Sequence, residues 1–368
     1  MINCIGIINL DENENGMGEL IKNRPLAAIP IAGRYRVIDF VLSNMTNSGI
    51  DSIGIFTKNR SRSLVDHITN GRPWDLHRKT NGLRIFNFGD KDPYYDDVYN
   101  FADNIEFFTK KRKDYVLLAS SYMICNIDYK KVVDYHKKQN NDITIIHKKI
   151  ENGNNNFIEC DILNLDNQNK VNSIGKNLGK ESKLNISMEM YVMKTELFID
   201  IIYESIRTGS DRKVKSYITN NLKKLNVGAY EYEGYLSCVN SVGSYYKINM
   251  ELLKPELYAE LFLEKNAIYT KSNDEIPTYY GNNSNVKNSV IANGSHIEGN
   301  VENCMIGRGV VIKEGAILKN CVIMQKSIVG ENSYLESVIA DKSSNIEENE
   351  KVIGLWEYPM VLKKPSIL

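Results

Sequence analysis

The stretch "DYVLLASSYMICNIDY" (114–129) is the first place where the sequence predicts chemistry. Residues 116–118 form an apolar run typical of a central parallel strand, so residues 119–124 should lie at its carboxyl end. Open α/β sheets bind their ligands at that edge. Here the edge carries hydroxyl and apolar side chains, and it lacks the carboxylate that would hold a hard metal ion.

Other residue types with chemical potential are scattered along the chain. His67, His77, His136 and His147 show no metal-ligand spacing. The cysteines lack a CxxC spacing and a dense framework, which indicates buried, reduced thiols in a cytoplasmic protein rather than disulfides or structural zinc. They are Cys4, Cys125, Cys160, Cys238, Cys304 and Cys321.

The elements that would position a site fall into two parts. Over residues 1–265, apolar runs such as "DITIIH" (142–147) alternate with helical stretches such as 37–48, which predicts βαβ units and a mostly parallel sheet. A helical stretch is expected over 244–263, and a linker over 266–284. This order predicts an α/β domain followed by a second, different domain.

The second part, residues 285–368, has an apolar period of six. Hexads run from Ile291 as "IANGSH" and "IEGNVE", continue after a three-residue slip as "IGRGVV", "IKEGAI" and "LKNCVI", and return as "VGENSY" and "IADKSS". This pattern indicates a hexapeptide parallel β-helix, in which each coil buries its inward side chains against its neighbours. The flat sides of such a stack favour oligomerisation or packing on the first domain.

Composition narrows the function classes. The length of 368 residues suggests two domains, and Lys plus Arg equals Asp plus Glu at 46 each. No net field therefore favours nucleic acid or an anionic membrane surface as a partner. Residues 1–10 show no targeting signal, and no apolar run approaches the roughly 18 residues of a membrane span. We expect a cytoplasmic protein.

Three segments, together with the hexads, carry a family resemblance. They are "IPIAGRYRVIDFVLSNMTNSGIDSIGIFT" (29–57), "GRPWDLHR" (71–78) and "VGAYEYEGYLSCVNSVGSYYKINMELL" (227–253). Over nearly its whole length the chain resembles bacterial glucose-1-phosphate adenylyltransferase, also called ADP-glucose pyrophosphorylase. The resemblance implies a Rossmann-like nucleotidyltransferase domain followed by a left-handed β-helix. In the family, glucose 1-phosphate attacks the α-phosphorus of ATP and pyrophosphate leaves, with charge neutralised by magnesium, lysines and a glycine-rich loop.

The family's glycine-rich loop corresponds here to "NLDENENGMGEL" (9–20). The loop keeps only two glycines, Gly16 and Gly18, as a degraded nucleotide pocket. It gains three acids, Asp11, Glu12 and Glu14, which would repel ATP.

Other catalytic positions of the family are also changed. The lysine before the family's "PAVP" corresponds to Leu26. One metal-binding aspartate corresponds to Ser121 or Tyr122, depending on a one-residue insertion, and the other corresponds to Cys238. A thiol is a poor magnesium ligand. We therefore expect no catalytic residues and no metal site in this chain.

Positive charges remain in a segment that lies near effector-binding and interdomain surfaces in the family. Arg24, Arg34 and Arg36 keep these charges, and a guanidinium group can bind two oxygens of a sugar phosphate. Structural pairing with Asp39 and other carboxylates accounts for these arginines equally well. The arginines are thus candidates for an effector or phosphate site.

Three further family positions are partly retained. Lys176 is what remains of the sugar-phosphate motif. Trp74 and Asp75 fall where active members form the floor of the nucleotide pocket, but we expect Trp74 to anchor the core rather than to support a base.

The combined losses resemble a non-catalytic, regulatory subunit of the GlgD type. This resemblance implies assembly with a catalytic subunit into a hetero-tetramer, no cofactor for this chain, Mg²⁺ in the catalytic partner, and a sugar phosphate as candidate effector. One alternative is an active enzyme in which Asp11, Glu12 or Asp96 replaces the metal ligands. Another is a hexapeptide acyltransferase with His296, the only histidine of the hexads, as general base.

Overall fold

The computed structural model describes residues 2–58, 61–87 and 96–364. The chain forms two compact units that interleave along the sequence. The first comprises Met1–Glu12, Phe40–Ser237 and Asn266–Tyr269, and the second comprises Asn13–Asp39, Cys238–Lys265 and Thr270–Leu368. The domain boundaries that the sequence predicts, after residues 265 and 284, remain a prediction.

The helices and strands are numbered in chain order. Before the coil the strands are β1 (Cys4–Asn9), β2 (Pro30–Ile31), β3 (Tyr35–Arg36), β4 (Ser52–Thr57), β5 (Gly82–Asn87), β6 (Tyr115–Ala119), β7 (Met123–Ile124), β8 (Ile143–Ile150), β9 (Asp161–Leu165), β10 (Val171–Lys176), β11 (Leu184–Lys194), β12 (Val227–Glu231) and β13 (Ser237–Cys238). The α-helices are α1 (Val37–Asn47), α2 (Arg62–Ile68), α3 (Asp97–Asp103), α4 (Ile105–Thr109), α5 (Tyr129–Gln139), α6 (Thr195–Thr208), α7 (Val214–Asn220), α8 (Val242–Glu251) and α9 (Pro255–Phe262).

A nine-stranded sheet forms the centre of the first unit. Strands β6, β1, β4 and β5 lie side by side and parallel, with Ile7 opposite both Leu118 and Gly54. Strand β11 runs antiparallel to β6, β8 and β9, while β8 and β12 pair in parallel. The alternation of strands and helices predicted the parallel part. It could not predict the antiparallel part, because a buried apolar strand reads the same in either direction.

Helices pack closely on both faces of the parallel strands. A Cβ at Gly6 would lie 2.7 Å from the sulfur of Met45 in α1, and a Cβ at Gly54 would lie 2.9 Å from the ring of Phe107 in α4. Aromatic rings fill the core beside α4, and Phe56 contacts Phe101 edge to face at 4.8 Å between ring centroids. This packing fixes the carboxyl ends of the strands, where the candidate site lies.

The helical stretch predicted over 244–263 consists of two elements. The structure has two helices, α8 and α9, and α9 begins at Pro255. Proline suits the first turn of a helix but breaks a helix interior, because it lacks the N–H and clashes with the preceding turn. Ser241 and Ser244 form a capping box at the start of α8.

The left-handed β-helix is confirmed, and in the part of the chain that the structure describes it comprises five coils, each with one strand in each of three parallel sheets. The sheets are β14 (Tyr279–Tyr280), β17 (His296–Ile297), β20 (Val311–Ile312), β23 (Ile328–Val329) and β26 (Asn345–Ile346); β15 (Asn285–Lys287), β18 (Asn300–Glu302), β21 (Ile317–Lys319), β24 (Tyr334–Glu336) and β27 (Lys351–Ile353); and β16 (Val290–Ile291), β19 (Met305–Ile306), β22 (Val322–Ile323), β25 (Val338–Ala340) and β28 (Met360–Leu362). The first coil begins at Tyr279, inside the stretch that the sequence indicated as linker.

In four of the five coils, one corner turns through a left-handed residue. The corner residues between the second and third sheets have φ between 41° and 53°, and they are Asn288, Asn303, Asn320 and Ser337. Asparagine tolerates this conformation better than most residues, and the side chain of Asn288 also donates to that of Asn303 at 2.7 Å. The Asn-rich corners therefore suit the coil at both the backbone and the side-chain level.

The hexad from Ile339 is shifted by one residue from the prediction. Ala340 aligns with Ile323 inside the coil, whereas Ile339 aligns with Val322 on the outer side. Both residues are fully buried, and a segment of the second unit outside the coil lies close to this sheet, since a Cβ on Gly33 would be 3.2 Å from the carbonyl oxygen of Ile306. Tyr246 of α8 also donates its hydroxyl to the backbone carbonyl of Asn320 at 2.6 Å.

Candidate functional site

Asp11 lies two residues beyond β1, at the edge of the sheet where α/β proteins bind ligands. Its carboxylate forms one ion pair with Lys58 and a second, 2.5 Å long, with Lys213. Burial lowers the pKa of Lys213, but the carboxylates of Asp11, Asp97 and Asp96 together outweigh this effect, so the pKa lies above its ordinary value. Both lysines are therefore engaged by an anion that belongs to the protein itself.

Asp97 is a second carboxyl group at this edge, at the start of α3. Asn9 donates its side-chain amide to one oxygen at 3.1 Å, and the N–H of Val214 donates to the other at 3.1 Å. Burial raises the pKa of Asp97 to about 7, and the nearby charge of Asp11 adds to this effect. The carboxyl group of Asp97 therefore links β1 to the starts of α3 and α7 and does not face solvent.

Ser121 lies just past the end of β6 and is fully buried. Its backbone N–H donates to the carboxylate of Glu12 at 2.5 Å. Glu12 thus brings a carboxylate to the strand end that has none of its own. In the described part of the chain, the hydroxyl oxygens of Ser120 and Ser121 are buried without hydrogen-bond partners, and Tyr122 is buried beside them.

A second ion-pair cluster, which sequence analysis missed, adjoins the same strand end. Lys215 lies 2.6 Å from the carboxylate of Glu189 and 2.5 Å from that of Asp161. Although burial opposes it, the pKa of Lys215 is raised by Tyr191 and by these two carboxylates. The only sequence signal was an acidic residue inside the apolar run "ISMEMYVM" of β11.

Glu189 holds a backbone conformation that glycine would adopt more easily. Its φ is 51°, in the left-handed region that costs an ordinary residue roughly 1 kcal/mol or more. It lies where the pairing of β11 with β8 shifts register, between Ser187 and Tyr191. Because Glu189 is strained and its carboxylate pairs with Lys215, we infer that this ion pair stabilises the local backbone conformation of β11.

Lys176, the remnant of the sugar-phosphate motif, belongs to the same cluster. Its ammonium group lies 2.7 Å from the carboxylate of Asp161 and donates to the carbonyl of Glu159 at 2.9 Å. Asp161 is almost completely buried, so it links two lysines, Lys176 and Lys215, through its two oxygens.

Trp74 and Asp75 occupy contrasting positions in the first unit. Trp74 is buried, and its indole N–H donates to the hydroxyl of Ser43 at 3.2 Å. Asp75 is exposed and forms an ion pair with Arg78. The tryptophan therefore packs as a core side chain and offers no free face to a base.

The glycine-containing loop continues into the second unit. The carboxylate of Glu14 accepts the backbone N–H of Leu26 at 2.7 Å, and Leu26 is fully buried. The carbonyl of Gly16 accepts the N–H of Val242 at 2.9 Å, and a Cβ on Gly16 would lie 2.4 Å from the carbonyl oxygen of Asn240. Backbone therefore packs where a phosphate-binding loop would need open space.

The remaining loop glycine and the second metal position also lie in this unit. Gly18 begins a short 3-10 helix, Gly18–Ile21, with φ of 51° and open space beside it. Cys238 is buried in β13. All six cysteines are buried thiols outside any disulfide, as predicted for small hydrophobic side chains.

The three candidate arginines of the second unit have different environments. Arg24 is buried in an ion pair with Asp341, and its Nε donates to the carbonyl of Leu20 at 3.0 Å. Arg36 is half-buried; its guanidinium donates to the carbonyl of Ala28 at 3.2 Å, while its backbone N–H donates to Asp39 at 2.9 Å.

Arg34 is exposed and lies over the ring of Tyr35 at 5.0 Å. Of the three arginines, Arg24 has the environment of a structural ion pair.

Cations crowd one another near Arg34 and Arg36. Burial and the charge of Arg36 lower the pKa of Lys342, and burial and the charge of Arg34 lower the pKa of Arg308. The guanidinium of Arg308 donates to the carbonyl of Lys271 at 3.1 Å. A position where nearby cations lower the pKa of a lysine or arginine favours the binding of an anion.

The metal and acyltransferase alternatives find little support in the geometry. Among residues 2–58, 61–87 and 96–364, no group of three or more His, Cys, Asp and Glu side chains is placed to hold a metal ion. Asp96 only precedes α3. His296 lies partly exposed on the coil, 3.0 Å from Glu298 and stacked on Tyr279. Over the same residues, no helix is both long and apolar enough to cross a membrane.

Comparison with known proteins agrees with this architecture. A family model described as "Nucleotidyl transferase" matches residues 19–253, and one described as "GlmU-like, C-terminal hexapeptide" matches residues 276–356. The chain therefore belongs to the nucleotidyl transferase family and carries a C-terminal hexapeptide coil.

Individual relatives narrow this class. The chain is 38% identical to the "Glycogen biosynthesis protein GlgD" of Bacillus subtilis over 98% of its length and 95% of that protein. It is 36% identical to the GlgD of Geobacillus stearothermophilus, over 85% of the chain and 82% of the relative. It is 32% identical to the glucose-1-phosphate adenylyltransferase of Mycoplasma mobile, over 83% of the chain and 82% of the relative. The chain belongs to the bacterial glucose-1-phosphate adenylyltransferase family.

Proposed function

We propose that this chain is a regulatory, catalytically deficient subunit of glucose-1-phosphate adenylyltransferase in glycogen biosynthesis. It acts by assembling with a catalytic subunit and changing that subunit's activity. Two of its relatives are named as glycogen biosynthesis proteins and a third as the adenylyltransferase, which supports the pathway and the partner.

The observation that carries the proposal is the internal neutralisation of the strand ends. Adenylyl transfer needs lysines and a metal ion that are free to neutralise phosphate oxygens. In this chain Lys58 and Lys213 bind Asp11, and Lys215 binds Asp161 and Glu189. A triphosphate would have to displace these carboxylates and then accept their repulsion.

Magnesium fits the retained residues poorly. The first metal position of the family holds a hydroxyl group, Ser121 or Tyr122, and the second holds the buried thiol of Cys238. Hard cations prefer carboxylate oxygens, and a thiol is too soft a ligand. We therefore assign no metal to this chain and expect Mg²⁺ in the catalytic partner.

The cationic group around Arg34, Arg36 and Lys342 is the candidate effector site of this subunit. A sugar phosphate would relieve the mutual repulsion of these cations and offers oxygens in the spacing that a guanidinium fork accepts. Arg24 is better explained by its ion pair with Asp341. Assembly as a hetero-tetramer and location in the cytoplasm remain predictions.

The test is adenylyl transfer, measured as pyrophosphate release from ATP and glucose 1-phosphate with magnesium. It compares this chain alone, the catalytic subunit of the same organism alone, and the two purified together. We expect the lone chain to be silent and the pair to differ from the catalytic subunit in rate, apparent affinity or effector response. Turnover by the lone chain at a rate comparable to that of the catalytic subunit would overturn the proposal and indicate a rebuilt site.

A further inference from the structure

Two of the buried thiols, those of Cys304 and Cys321, occupy the same position in the second and third coils. Cys304 directly precedes β19 and Cys321 directly precedes β22. These two strands pair in parallel with Met305 opposite Val322, and the N–H of Met305 donates to the carbonyl of Cys321 at 2.8 Å. The two cysteines are therefore stacked one above the other, one coil apart.

The hydrogen bonds of the two thiols show the same stacking. The backbone N–H of Cys321 donates to the sulfur of Cys304 at 3.3 Å. Each thiol donates to the carbonyl two residues before it, Cys304 to Glu302 and Cys321 to Lys319, both at 3.1 Å. Both side chains belong to the core inside the coil and have no exposed surface.

This stacking suits a disulfide bond between the two coils. Neighbouring strands of a sheet lie about 4.8 Å apart, and the Cα atoms of bonded cysteines usually lie about 4.4–6.8 Å apart. The bond therefore requires rotation of the side chains rather than a shift of the strands. Cys304 and Cys321 are separated by 17 positions, so the bond would close one complete coil.

Hydrophobic packing alone does not require a thiol at this position. In the fourth coil the equivalent residue is Val338, which is fully buried in the same core. An aliphatic side chain thus fits the position, whereas two cysteines in consecutive coils add a reaction that valine lacks.

We propose that Cys304 and Cys321 are an oxidation site, at which a small peroxide converts the two thiols into a disulfide. One thiolate attacks hydrogen peroxide to give a sulfenic acid and hydroxide, and the second thiolate then attacks that sulfur and expels another hydroxide. The two thiols lose two electrons, and their two protons join the hydroxides, so one peroxide becomes two molecules of water. In a reducing compartment the pair remains a dithiol.

The surroundings of the two thiols determine when they can react. Burial raises the pKa of the Cys304 thiol well above its ordinary value, and the neighbouring Cys321 adds to this effect. Because the thiolate is the reactive form, the closed coil protects the pair, and oxidation requires local opening of the coil. Once formed, the bond links the second coil to the third and opposes further opening.

The test is reaction of the reduced full chain with hydrogen peroxide, in a series of urea concentrations below the unfolding transition. Peptide mapping without reduction should find the peptides of Cys304 and Cys321 joined, with two of the six thiols consumed. The rate should rise with urea, because the thiols react from an opened coil. After removal of urea, the oxidised chain should melt roughly 5–10 °C above the reduced chain, and dithiothreitol should abolish this difference.

Two variants each remove one member of the pair. Cys321→Val introduces the side chain that the fourth coil carries at this position, and Cys304→Ala truncates the other thiol. Both should lose the cross-link and the rise in melting temperature. Cys160→Ala is the matched control, because it removes a buried thiol from the first unit, and it should form the cross-link as the wild type does. Circular dichroism of the reduced variants checks that each is folded.

The proposal is overturned if peroxide leaves Cys304 and Cys321 unlinked, or if it joins other cysteines as readily as these two. A cross-linked chain that melts no higher than the reduced chain would also contradict it, since the bond would then distort the coil. None of these measurements depends on adenylyl transfer, so this inference and the proposed function can fail separately.

Discussion

Replacing Asp11 with asparagine tests directly whether the site is neutralised from within. Asparagine keeps the shape of the side chain but removes the charge that holds Lys58 and Lys213. The two lysines should then accept an external anion at the end of β1. We expect Asp11→Asn to bind inorganic pyrophosphate more tightly than the wild-type chain does.

The size of the gain follows from the charge that is removed. A unit charge about 4 Å from the anion is worth about 4 kcal/mol at an effective dielectric constant of 20. The side chains of Lys58 and Lys213 are 49% and 42% exposed, so solvent screening reduces this to about 1–2 kcal/mol. This corresponds to roughly 5- to 30-fold tighter binding.

Isothermal titration calorimetry with pyrophosphate at low ionic strength measures the change. Glu106→Gln is the matched control, because it removes the same charge from an exposed ion pair with Lys110 on α4. Adding Lys213→Met to Asp11→Asn should cancel the gain. Equal affinities for the wild type and Asp11→Asn would refute the idea that Asp11 occupies an anion site.

Three further predictions concern stability. Asp341→Asn leaves the guanidinium of Arg24 buried and unpaired, so urea unfolding should show a loss of about 3–5 kcal/mol, and a loss below about 1 kcal/mol would argue against a structural pair. Burial raises the pKa of Asp97 from 3.8 to about 7, so ionisation disfavours the folded state and the wild type should lose stability between about pH 4 and pH 7. Thermal melts of Asp97→Asn should lack this slope, and an identical slope would contradict the assignment. Gly16→Ala pushes a Cβ to within 2.4 Å of the carbonyl oxygen of Asn240 and should lower the melting temperature by several degrees, whereas an unchanged melt would show that the loop can shift.

The sequence predicted those parts of the fold whose pattern of apolar residues is compatible with only one type of secondary structure. The apolar runs of β1, β4, β6 and β8 and the hexads of the coil each specify an element and its buried side. The break at Pro255 was also readable, because proline seldom continues a helix. The direction of β11 and the one-residue shift at Ala340 depend on tertiary packing, which a local pattern does not contain.

The sequence predicted which catalytic groups of the family are missing from the candidate site. It did not predict which side chains contact one another there. The absence of an acid in the stretch 119–124 could be read from the sequence, yet the arrival of Glu12 at Ser121 could not. The loop acids were expected to repel phosphate, and the structure adds that Lys213 is drawn to Asp11 from far along the chain. The ion pair between Arg24 and Asp341 could not be predicted from the sequence either, since the two residues lie 317 positions apart.

That separation has a consequence for how the protein is made. Residues 13–39 leave the ribosome early, but they belong to the same compact unit as residues 238–265 and the coil. They cannot reach their final packing until almost the whole chain has been synthesised, and contacts between such distant residues form slowly. Until then the apolar surface of this segment needs protection from aggregation. A fragment ending at residue 265 would keep that surface and lose the coil strands that complete its unit, so we expect it to be insoluble without the rest of the chain.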